Sequence, residues 1–141
     1  MRTGRCLCGR VTYEAEGEPV IVAHCHCRTC QRRSGSGHST GAMFSADQVR
    51  IEGQTAQHQG TSDLGTTVTR TFCPSCGSPI YGRNTGAPDF ITLTAGTFDD
   101  PDTLAPEVIV FTEDRCAWDP IDPSLPAFET QPAWDPAAAS K

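Results

Sequence analysis

Lysine is almost missing from this chain: Lys141 stands alone against ten arginines. Long apolar runs are missing as well. No stretch approaches the roughly 18 apolar residues that a spanning helix needs, which argues against a membrane role. Met1-Arg2-Thr3-Gly4 leads straight toward Cys6 with no apolar segment of the signal-peptide kind, so a cytosolic compartment is expected. Aromatic residues make up only 7% and hydrophobic residues 37% of the 141 positions, enough for one modest core that would benefit from a metal staple. Positive charge is short too. The net charge is −6, and residues 99–141 hold ten acids against Arg115 and Lys141. Residues 1–98 are nearly balanced, with nine arginines and seven acids. Such a distribution argues against non-specific nucleic-acid binding, which works by neutralising phosphates.

What is plentiful is turn chemistry and cysteine. Eleven prolines and 13 glycines imply short elements and many turns. Strand-like runs occupy 11–15, 19–23, 38–44, 49–51, 68–72, 90–95 and 108–111, with turns at Gly17, Gly53, Gly60, Gly65 and Gly86. A single short helix is expected over 28–34, closed by Gly35. The fold class is therefore mainly β with one short helix. One zinc-binding domain is expected over 1–130, with Trp118 packed on its body and a flexible tail over 131–141.

Seven of the eight cysteines fall into three clusters. In a cytosolic setting these are read as metal ligands or catalytic thiols before disulfides. Cys6-Leu7-Cys8-Gly9 and Cys73-Pro74-Ser75-Cys76-Gly77 both end in glycine, which permits the positive φ of a tight turn whose N–H groups face the sulfurs. Neither pair closes a tetrahedron alone. Together Cys6, Cys8, Cys73 and Cys76 make the four-ligand set of a structural zinc.

Cys25-His26-Cys27-x-x-Cys30 offers three sulfurs, leaving a strand and entering the helix. Three protein ligands are the signature of a zinc with an open position. With three thiolates such a zinc carries a net charge of −1, poor for making hydroxide and better suited to holding a fourth, substrate sulfur. Arg28, Arg32 and Arg33 are the nearest cations and could hold the carboxylates of a thiol substrate. A competing reading closes this site with Cys116, His24, His26, His38 or His58.

These motifs resemble a known family. Gly4-x-Cys6-x-Cys8-Gly9-x-Val11-x-Tyr13-Glu14, Cys25-His26-Cys27-x-x-Cys30-x-x-x-Ser34-Gly35 and Phe72-Cys73-x-x-Cys76-Gly77-Ser78-Pro79 are similar to the glutathione-dependent formaldehyde-activating enzymes, a family that includes centromere protein V. Trp118, Asp122 and Leu125-Pro126-x-Phe128-Glu129 resemble its C-terminal segment. The resemblance implies an Mss4-like β-tent of stacked antiparallel sheets. It also implies a structural zinc on Cys6, Cys8, Cys73 and Cys76, and a catalytic zinc on Cys25, Cys27 and Cys30.

The expected activity is that of a carbon–sulfur lyase with two zinc ions per chain. Its partners would be a small thiol such as glutathione and formaldehyde or another small aldehyde, with His26 and His38 as candidate proton donors. Two other classes compete: a non-catalytic zinc module that docks a protein partner, and a thiol redox sensor on Cys25, Cys27 and Cys30. Oligomeric state has no sequence signature here.

Overall fold

A computed structural model describes residues 1–139, and among them ten strands form two sheets. The smaller sheet is antiparallel, in the order β1 (Arg2–Arg5), β2 (Thr12–Ala15), β5 (Val49–Glu52). The larger runs β10 (Val108–Val110), β3 (Ile21–Cys25), β4 (Ser39–Ser45), β9 (Phe90–Thr94), β8 (Pro79–Asn84), β7 (Thr67–Phe72), β6 (Ala56–Thr61). Its pairings are antiparallel except for β10 on β3, which is parallel and sets Val110 beside Cys25. The helix α1 spans Arg28–Ser34 and ends on Gly35 at φ +73°, as the sequence predicts. A four-residue helix, α2, covers Pro136–Ala139.

Alternation along the strands builds the core. Tyr13 and Ala15 of β2, Ala42 and Phe44 of β4, and Ile91 and Leu93 of β9 are buried, while their sequence neighbours are less so. Phe98 joins the two sheets: it meets Tyr13 edge-on at 5.3 Å and stacks near Phe44 at 6.2 Å. Gly4 must be glycine here, because a Cβ would lie 2.2 Å from the Tyr13 ring and 2.6 Å from the Thr97 carbonyl.

Three strands carried no usable signal. β6 reads Ala-Gln-His-Gln-Gly-Thr, a polar edge strand that pairs with β7, so Gly60 lies in a strand rather than the expected turn. β8 opens on Pro79, tolerated at a strand's first residue beside the register shift at Thr71/Phe72. β1 is Arg-Thr-Gly-Arg, with no apolar alternation at all. Trp118 also departs from expectation. It is 70% exposed, because its neighbour Asp119 takes the inward place. The expected tail over 131–141 reaches Ser140 and Lys141, which lie outside the described residues.

Candidate metal centres

The first centre sits where the β1–β2 and β7–β8 connections meet. Gly9 N–H donates to the Cys6 carbonyl at 3.1 Å, and Gly77 N–H to the Cys73 carbonyl at 2.8 Å. Both glycines have positive φ, +81° and +79°. The expected amide-to-sulfur contact is present: Val11 N–H points at Cys6 Sγ from 3.3 Å. Ser78 stitches the two turns together, accepting from Leu7 N–H at 2.9 Å and lying 3.2 Å from Cys76 Sγ. That hydroxyl, with the Ser78 backbone, pulls the Cys76 thiol down to about 5. The four sulfurs of Cys6, Cys8, Cys73 and Cys76 lie within 4.8 Å of one another. Cys8 is 3.6 Å from Cys6 and 3.8 Å from Cys73, sulfur to sulfur. Zinc–thiolate bonds of about 2.3 Å set tetrahedral sulfur–sulfur edges of about 3.8 Å, so the group fits the ion.

The second centre lies at the junction of β3 and α1. Cys25 ends the strand, Cys27 is the helix N-cap, and Cys30 falls in the first turn, where its N–H points at Cys27 Sγ from 3.4 Å. The three sulfurs gather within 4.8 Å, and among the described residues no further Cys, His, Asp or Glu donor joins them. Contacts from the Cys25 and Cys27 thiols, then Ser39 and the positive field of Arg70, lower Cys30 to about 2. The neighbouring Cys27 and Cys30 sulfurs, and then burial, push Cys25 the other way. Three converging sulfurs, one of them readily deprotonated, suit a soft divalent cation.

Buried Gln31 locks this junction. Its amide donates to the His26 carbonyl at 2.8 Å and the Asp114 carbonyl at 2.9 Å. Its oxygen accepts from Arg28 and, at 3.7 Å, from the Cys116 thiol. The segment after β10 is thereby tied to the cysteine turn.

The matching family model is described as glutathione-dependent formaldehyde-activating enzyme and spans residues 1–114. The chain belongs to that family. A crystal structure of a Rhodobacter sphaeroides protein shares the fold at TM-score 0.57, with 19% identity over 74% of this chain and 91% of that one. No curated protein matches.

Within this family framework, Cys116 keeps to Gln31 and stands apart from the three sulfurs. His24 pairs with the Thr40 hydroxyl at 2.7 Å, and His58 lies on the β6 edge. His26 and His38 enter a different group, with Asp119. Arg28 and Arg32 are exposed, whereas Arg33 is half-buried and its Nη2 has no hydrogen-bond partner among the described residues. Burial first, then the like charge of Arg70, lowers the Arg33 guanidinium's pKa, while Cys30 opposes the shift. Arg70, Gln31 and Asp119 carried no sequence signal. Arg70 comes from β7 and Asp119 from the post-β10 segment, and only the fold brings them to the cysteine turn. Gln31 directly follows Cys30, and the fold brings its partner Asp114 to it.

Proposed function

We propose that this chain joins a small thiol to a small aldehyde at the Cys25–Cys27–Cys30 centre, a carbon–sulfur lyase reaction. The observation that carries the reading is a three-sulfur group with no fourth donor among the described residues. Cys6, Cys8, Cys73 and Cys76 would hold a structural zinc, and Cys25, Cys27 and Cys30 a second one. Zinc in the second group would supply a soft electrophilic centre that keeps a substrate sulfur as thiolate at neutral pH.

The chain's own residues then do the positioning. Arg33, with an unpartnered guanidinium nitrogen beside the cysteine turn, is the best placed of the three helix arginines to take a substrate carboxylate, with Arg70 adding positive potential. Arg28 is already engaged with Gln31 and holds the turn instead. In the reaction the thiol loses its proton to solvent, and its sulfur forms a bond to the carbonyl carbon. The carbonyl oxygen takes up a proton, and no electrons are exchanged with an outside partner. Water can serve both proton steps, because the three cysteines are only partly buried. Thiols already add to formaldehyde in water, so holding both reactants together is the main service required.

The test is exchange spectroscopy on labelled formaldehyde mixed with glutathione, other low-molecular-weight thiols and a range of small aldehydes. Faster interconversion of free and thiol-bound aldehyde with the wild-type chain, lost in Cys30→Ser, is the expected result. No acceleration with any pair removes the proposal.

A further inference from the structure

A second kind of donor set lies beside the cysteine turn. His26 follows Cys25, His38 precedes β4, and Asp119 comes from the segment after β10. One donor atom from each gathers within 4.8 Å of the others. Asp119 Oδ2 is 2.6 Å from His38 Nδ1 and 3.5 Å from His26 Nδ1. The two rings face each other at 4.9 Å with 35° between their planes.

Two features need explaining. His26 is 2% exposed, yet its Nδ1 has no hydrogen-bond partner among the described residues and is aimed at the Asp119 carboxylate. At 3.5 Å the two atoms are too far apart for a hydrogen bond of ordinary length. A buried polar nitrogen is costly to leave unmade, so the position calls for a cation between ring and carboxylate. Then there is the seat of the carboxylate. It lies over Gly37, where a Cβ would come within 2.2 Å of Oδ2. The backbone is fixed from the far side by Arg115, which donates to the Asp119 carbonyl at 3.1 Å.

We propose that His26, His38 and Asp119 form a metal site of their own, separate from both sulfur groups, for a divalent first-row transition ion of the zinc class. Two imidazole nitrogens and one carboxylate oxygen are a harder donor set than three thiolates. Three protein ligands leave a position for water or a small anion. Bonds of about 2.0–2.1 Å put tetrahedral ligand atoms about 3.3 Å apart, close to the present His26–Asp119 gap. The His38–Asp119 gap opens to that value by a small turn of His38, whose side chain is 30% exposed. His24 supports the arrangement from outside, edge-on to His38 at 4.9 Å and anchored on Thr40. With no sulfur ligand the site is the weaker and more exchangeable of the three. It stands whether or not the thiol reaction does.

The experiment titrates the protein as purified, its sulfur groups already loaded, with zinc alone, followed by native mass spectrometry and histidine ring nitrogen NMR. The expected result is one extra ion per chain, with selective shifts of two histidine Nδ1 resonances. His38→Ala and Asp119→Asn should weaken that extra ion at least about tenfold while keeping the sulfur-bound metal. The proposal is overturned if wild type takes up no extra ion at millimolar zinc, or if no Nδ1 resonance moves. Equal uptake by both variants overturns it as well. The ring resonances are read on wild type, so a variant that fails to fold does not shelter the idea.

Discussion

The two sulfur groups use the same donor chemistry on different backbones. Cys6, Cys8, Cys73 and Cys76 come from two turns that are 65 residues apart, and Cys6 and Cys73 are fully buried. Cys25, Cys27 and Cys30 come from six consecutive residues and are all half-exposed. A closed four-sulfur group between distant turns uses every tetrahedral position for cross-linking, although Cys8 is exposed and Cys76 half-buried. A local three-sulfur group at a helix start cross-links little and leaves one tetrahedral position unfilled. The difference separates holding the fold from meeting a substrate.

Breaking the first group should have the largest effect. Structural zinc can contribute on the order of 10 kcal/mol of folding free energy, comparable to the whole stability of a domain. Cys73→Ser should therefore be insoluble or depleted in zinc; a soluble variant with unchanged metal content and melting temperature would erase the distinction. Cys30→Ser should instead stay folded, lose one metal equivalent and lose at least about 100-fold in aldehyde-exchange rate. Circular dichroism and metal analysis on the same sample check both halves of that statement.

Smaller perturbations sharpen the contrast. Arg33→Met should raise KM about tenfold for a carboxylate-bearing thiol, the size expected for one charge-assisted hydrogen bond, and leave an uncharged thiol unaffected. Equal effects on both thiols would mean that Arg33 acts only through packing. Gly77→Ala and Gly35→Ala each place a side chain at positive φ with nothing within 4 Å, so both should cost about 1–2 kcal/mol in thermal melts. Only Gly77→Ala should also speed zinc loss to a chelator, because Gly77 closes a knuckle of the four-sulfur group. Cys116→Ala, which removes one 3.7 Å contact to Gln31, should cost less than about 1 kcal/mol and leave metal content unchanged.

Local chemistry was legible in the chain, and long-range pairing was not. The knuckle glycines, the strand-to-helix cysteine turn and the Gly35 cap are written within a few residues, and the structure has each of them. β6 and β8 were hidden because a polar edge strand and a strand opening on proline lack the period-two signal. Asp119 was hidden for another reason. It reaches His38 across 81 residues, and a sequence reader sees the bulky Trp118 first. Gln31 looks like an ordinary helix position until β10 pairs with β3 and brings Asp114 and Cys116 against it.

The most direct test of the contrast is cadmium-113 NMR of the cadmium-loaded chain, recorded with and without a small thiol such as glutathione. Two sulfur-ligated signals are expected, one in the all-sulfur region from the start and one outside it. Added thiol should move the second signal into the all-sulfur region and leave the first in place. If both signals begin in the all-sulfur region and neither responds to thiol, the second group is closed and the account of an open site is wrong.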